Sequence, residues 1–250
     1  MPPTTTTVTR TDASRGAAPR DSTLRDSSAT TIVVDRGGVR GLRPGARLSP
    51  RVLARRPVVR AALVPIQAGP LDGDRDVVRL HVGAGATLVV VPIAATLALP
   101  GASRLELEAT VEAGGRLLLD DGPLIVAAGA RVTRRTRLDL GPGALAAVRE
   151  VVVLGRAGEP PGAIDSELRA TLDGRPLLHD ALRGTDPYVA LAPGHRVAGT
   201  IALLGERDPD GPPLAGPGAL KRATASELPP VEAALSQTWE RWTLSGTRAA

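Results

Sequence analysis

Cysteine and phenylalanine are absent from this chain, and one tyrosine and two tryptophans are its only aromatics. The first absence excludes a disulfide framework and any thiolate metal site. The second leaves a core that must be built from Val, Leu, Ile and Ala, which fits narrow sheets stacked closely. It argues against a protein that stacks bases or sugars on aromatic platforms. Lysine is also nearly missing: Lys221 stands alone, so the positive charge is carried by arginine. That charge is uneven. Residues 1–60 hold twelve arginines against four aspartates, whereas the remainder holds slightly more acidic than basic residues. The basic excess is therefore a property of the N-terminal part, read as a solvated arm and a polar strand face. No helix-turn-helix, zinc-finger or RNA-recognition pattern accompanies it, so no nucleic-acid partner is expected. No apolar stretch reaches membrane-spanning length, and the first 30 residues lack the apolar run of a secretory signal. The expectation is a cytoplasmic protein without a membrane partner.

What the chain does contain is a repeat. Gly85, Gly114 and Gly143 stand 29 residues apart. Each follows a strand-like segment (Arg79–Val82, Glu108–Val111, Arg137–Leu140) and precedes an apolar run (Leu88–Val91, Leu117–Leu119, Ala146–Val148). A fixed period of this length is the signature of stacked units. The unit here is strand–turn–strand, so the spacing predicts an all-β, layered, β-helical or solenoid-like domain with few α-helices. Such layers offer surfaces for partners more readily than a pocket for bond-breaking.

Residues 1–30 read as a disordered basic arm, and residues 31–250 as one β domain. An irregular strand is expected over 50–66, with Pro57 and Pro65 marking an edge. Strands are also expected at Leu168–Leu172, Arg175–Leu182 and Val197–Leu204, the first two joined by an Asp173-Gly174 hairpin turn. Residues 205–218 read as a mobile Pro/Gly/Asp loop. One helix is expected over 230–242, with Pro229 and Pro230 at its start and Val231, Leu235, Trp239 and Trp242 along one stripe.

The motifs of several chemistries are missing. Gly216-Pro217-Gly218-Ala219-Leu220-Lys221 has the wrong spacing for a phosphate-binding loop, and neither a nucleophile elbow nor a His-Glu-x-x-His pair occurs. His81, His179 and His195 are scattered, too few for a tight tetrahedral metal site. Carboxylates are better placed. Asp120 and Asp121 close the apolar run of the second repeat, and Glu150 occupies the same repeat position as Asp121. Stacking in register would bring Asp121 and Glu150 to one side. They are either structural partners for Arg149 and Arg156 or weak, hard-oxygen resting places for a divalent ion.

At Glu150-Val151-Val152-Val153-Leu154-Gly155-Arg156 the chain resembles the urease accessory protein family UreD (UreH in some bacteria). Four further segments resemble that family in the same order: Gly73-Asp74, Pro92-Ile93-Ala94-Ala95-Thr96, Arg134-Arg135-Thr136-Arg137-Leu138-Asp139-Leu140 and Asp173-Gly174-Arg175-Pro176-Leu177-Leu178. The resemblance implies a layered β fold and a non-enzymatic role in urease maturation. It implies binding to UreF, through UreF to the GTPase UreG, and docking on apo-urease to assist nickel insertion. No cofactor is expected to stay bound; nickel would be in transit, with Glu150, Asp121 and Asp120 as successive ligands. Arg149, Arg156, Trp239 and Trp242 are the expected partner contacts. Two other classes stay open at this point. One is a solenoid interaction module without a nickel role. The other is a carbohydrate-acting β-helix enzyme, which the scarcity of aromatics disfavours.

Overall fold

The computed structural model describes residues 28–56, 58–184, 191 and 194–247. The basic arm expected over residues 1–30 falls almost wholly outside them. Among the described residues, fifteen strands and one helix follow in chain order: β1 (Thr30–Asp35), β2 (Gly38–Arg43), β3 (Leu48–Ala54), β4 (Val59–Pro65), β5 (Arg75–Val82), β6 (Thr87–Val91), β7 (Thr96–Ala98), β8 (Gly101–Val111), β9 (Arg116–Val126), β10 (Ala130–Leu140), β11 (Leu145–Leu154), β12 (Ala163–Leu172), β13 (Arg175–Gly184), β14 (Val197–Leu204), β15 (Gly218–Ala225) and α1 (Leu228–Thr247).

The strands form two sheets. The first has the order β13-β12-β10-β8-β5-β1-β2 and the second β15-β14-β11-β9-β6-β4-β3, with β7 paired to β9. From β5 to β12 the chain passes back and forth between them, and neighbours within each sheet run parallel. The registers are Val78 with Leu107 with Thr136 in the first sheet and Leu88 with Leu117 with Ala146 in the second. Each step is one 29-residue circuit, so the repeat is a two-sheet solenoid. The three repeat glycines sit where each circuit turns from the first sheet to the second. All have φ near +65°, a conformation that carries little strain only without a Cβ. The turns stack as well: Gly85 N donates to Ala113 O and Gly114 N to Pro142 O. Antiparallel pairs flank the parallel circuits, β1–β2 and β3–β4 at one end, β12–β13 and β14–β15 at the other.

Alternation fixes which side chains turn inward. Val78, Leu80 and Val82 of β5 meet Leu88 and Val90 of β6 in one aliphatic cluster, which continues through Leu117, Leu119, Leu138 and Val148. The outer face of the first sheet instead carries Arg79, Glu108, Arg135 and Glu167. Around β11 and β14 the outer face of the second sheet is largely apolar, and α1 covers it there. Val231, Leu235 and Trp242 pack there on Val151, Val197 and Ile201. Gly199 allows this approach, because a Cβ on it would lie 2.6 Å from Val231 Cγ1 and 2.7 Å from Leu235 Cδ1. The helix is longer than the expected 230–242 at both ends. Its apolar stripe packs on the sheet as the spacing implies.

Three local readings change. The span 50–66 is two strands, with the chain reversing after Ala54 so that β3 and β4 pair antiparallel. The loop after β14 is tied down: the Asp208 carboxylate accepts hydrogen bonds from Trp242 Nε1 at 2.8 Å and Arg241 Nη2 at 2.5 Å. That loop leads into β15, which lacks alternating hydrophobicity and gives no strand signal in the sequence. The Asp173-Gly174 hairpin forms as expected, both residues at positive φ.

Candidate functional site

A seam of polar side chains runs across the strands, inside the sandwich, between two apolar clusters. Val148, Leu107 and Leu168 belong to the cluster on one side, and Val132, Val152, Ile164 and Ala198 to the cluster on the other. In the first sheet the seam occupies two rows of the register, Asp76–Leu105–Arg134–Ser166 and Thr136–Leu168–Asp180. In the second sheet it is the row Glu150–Thr200–Arg222.

The seam is held by charge-assisted hydrogen bonds. At one end Arg47 Nη2 meets Asp76 Oδ2 at 2.6 Å, and both groups are buried. In the middle Arg134 donates from Nε to Ser166 Oγ and from Nη2 to Glu150 Oε2, each at 2.9 Å. Thr136 Oγ1 donates to the other oxygen, Glu150 Oε1, at 2.6 Å. At the far end Arg222 bridges Thr200 Oγ1 and the Asp180 carboxylate. A buried ion pair is seldom a net stabiliser relative to well-packed apolar residues. The two buried pairs, Arg47–Asp76 and Arg134–Glu150, therefore mark a place where the interior departs from what packing alone favours, while the Arg222–Asp180 pair at the far end is partly open to solvent.

The expected pairing of Asp121 with Glu150 is met through a bulge. Asp120 lies opposite Arg149 and Pro123 opposite Val151, so Asp121 and Gly122 together face Glu150. Gly122 has φ +81°. The side chain of Asp121 turns inward, into a recess of about 90 Å³ also lined by Arg47, Asp76, Arg134, Thr136 and the loop Pro92–Thr96. By surface area Asp121 is an exposed residue at the mouth of this recess, although protein atoms crowd around its carboxyl. Burial pushes its carboxyl up to about 7; nearby Arg134 opposes that rise, while Glu150 and Asp120 add to it. Both oxygens of Glu150 are engaged, whereas Asp121 has no side-chain hydrogen bond or ion pair among the described residues.

Asp120 points the other way. On the outer face of the second sheet it lies 3.4 Å from Arg149 Nη1, and Arg149 Nη2 lies 3.6 Å from Glu232 of α1. Burial raises its pKa and Arg149 opposes the rise. Arg149 thus links sheet to helix. Arg156, in the turn after β11, is paired with Glu159, whose carboxyl is held down at about 2 by that guanidinium. Trp242 is 3% exposed, and Trp239 is partly buried between the helix and the sheet. The three histidines are separate: His81 faces Glu112, His179 faces Glu167, and His195 Nδ1 meets Thr224 Oγ1. Among the described residues no three His, Cys, Asp or Glu side chains converge as a metal site.

The sequence reading missed Arg47, Asp76, Arg134, Thr136, Ser166, Thr200 and Arg222. One signal for them was present. In β10 the apolar positions Val132 and Leu138 are in phase with Arg134 and Thr136, which places two polar residues on the core side of the strand.

Fold and seam together define a solenoid-like β scaffold with a charged interior and, among the described residues, no converging metal-binding set. The UreD urease accessory protein family matches residues 40–247, and the chain belongs to that family. Urease accessory protein UreD 1 of Streptomyces griseus is 40% identical over 92% of this chain and 94% of its own length. UreD of Streptomyces coelicolor is 38% identical over 67% of this chain and 75% of its own. UreD of a Parafrankia species is 37% identical over 84% of this chain and 72% of its own. Membership implies a role in urease maturation. No helix among the described residues is long and apolar enough to cross a membrane.

Proposed function

We propose that this chain is a non-catalytic cytoplasmic scaffold of urease maturation. It binds UreF, and through UreF the GTPase UreG, and docks on apo-urease while nickel is delivered. Nickel passes through without residing, using Asp121 as the open carboxylate at the mouth of the recess and Glu150 as the next, buried oxygen ligand once Arg134 or Thr136 releases it. Asp120 serves from the opposite face, at the entrance beside Arg149. Arg149, Arg156, Trp239 and Trp242 are assigned to the partner side, with the buried Trp242 acting by holding the helix in place.

The seam of buried charge is the observation that carries this reading. An aliphatic sandwich of this size has no packing need for it, while a hydrated cation crossing the fold needs oxygen ligands on its way. Oxygen ligands in ones and twos bind weakly enough for an ion to leave, as conduction requires. Co-expression with UreF and urease subunits tests the scaffold, and Asp121→Asn tests the path. The expected result is that the complex purifies intact while urease nickel content falls several-fold. A wild-type chain that forms no complex with folded UreF contradicts the scaffold. An Asp121→Asn chain that supports full nickel loading contradicts the path, leaving an interaction module without a nickel role.

A further inference from the structure

The first sheet ends at β13, which has a neighbour on one side only, β12, among the described residues. Between this strand and β15 lies an open groove of about 440 Å³, lined by His179, Ala181, Leu182, Arg183 and Arg222. Three of the five are basic and none is acidic. The Arg183 side chain is 69% exposed, and its nearest carboxylates, Asp165 and Glu167, are at 3.8 and 4.0 Å. Each of those carboxylates already has a closer partner, Arg135 for Asp165 and His179 for Glu167. Arg222 keeps its bond to Asp180 at the end of the polar seam while a third of its side chain faces solvent.

We infer that this groove receives an acidic, extended segment of a partner protein, added as a strand along the edge of β13 that is unpaired among the described residues. Two features favour this occupant over others. An unpaired edge offers main-chain donors and acceptors to any extended chain. Its side chains then select which chain comes. His179, Ala181 and Arg183 alternate onto one face of β13, so an incoming strand with carboxylates at every second position sets them beside His179 and Arg183. A second copy of β13 would instead set the basic residues His179 and Arg183 against one another, so the same residues that attract an acidic strand deter self-pairing. The inference stands apart from the passage of nickel, since it needs only the edge and its charges.

The test uses the full chain and a labelled, end-capped decapeptide of alternating glutamate and valine, followed by fluorescence anisotropy. The expected result is saturable binding that weakens roughly tenfold or more in Arg183→Glu, recovers in Arg183→Lys, and disappears when alternate peptide nitrogens are methylated. Because Arg183 is so exposed, these variants leave the sheet intact, which far-UV circular dichroism checks. Equal binding by Arg183→Glu overturns the inference. So does equal binding by the methylated peptide, which would mean charge attraction without strand pairing. Heparin competing as well as the peptide overturns it too, by exposing an indiscriminate polyanion patch.

Discussion

Glu150 is buried among aliphatic side chains and depends on two donors, Arg134 and Thr136. Removing one partner of such a pair leaves an uncompensated charge inside the fold. Arg134→Met should therefore destabilise the protein by about 3–5 kcal/mol. Replacing both, as Arg134→Met with Glu150→Leu, should recover most of that loss, and urea unfolding measures both. Asp121 makes a different prediction, because its carboxyl titrates at about 7 when folded and at 3.8 in its ordinary state. The folded chain holds this proton more tightly, so the contribution to stability is full below the ordinary value and is lost as pH rises through about 7. The paired carboxylates Glu159 and Glu167, both held at about 2 by their arginines, act in the opposite direction at lower pH. The Asp121 effect is thus isolated as a difference from Asp121→Asn. Melting temperatures followed from pH 4 to 8 should show the variant gaining on the parent as pH rises. Parallel curves would mean that the carboxyl is already ionised at the low end.

The elements were legible where the repeat or the alternation was strong. The 29-residue stride gave the circuits because each glycine turn recurs at one place in the stack, and Val197–Leu204 was readable from its largely apolar run, broken only by Gly199 and Thr200. β15 was not, because its Leu220-Lys221-Arg222 stretch borrows its order from pairing with β14 rather than from its own pattern. The seam was half legible. Equal repeat position brought Asp121 and Glu150 together, but the donors to Glu150, Arg134 and Thr136, come from β10, and a distance across two sheets is not written in a local pattern. Alternation along β9 turns Asp120 outward, opposite Arg149 and ahead of the bulge, so it does not share the interior with Asp121 and Glu150. At the level of α1, the Asp208 clasp carries a prediction of its own. Asp208→Ala leaves the buried Trp242 Nε1 without its acceptor and should destabilise the helix docking by about 1–3 kcal/mol. Both tryptophans of the chain lie on α1, so intrinsic fluorescence reports on this element alone. A red shift at denaturant concentrations that leave the β signal unchanged is the expected outcome. Coincident transitions would mean that helix and sheets unfold as one unit.

Across the whole molecule, three stacked circuits between antiparallel end pairs make a rigid body with an outer helix, a charged outer sheet face and a polar interior row. That combination suits a protein that holds other proteins in place while an ion moves between them. The most direct test is the nickel content of urease purified from cells lacking this chain, compared with the same cells complemented by it. The account predicts undiminished urease protein with little nickel in the deletion strain, and nickel restored by complementation. Urease that carries its full nickel without this chain would contradict it.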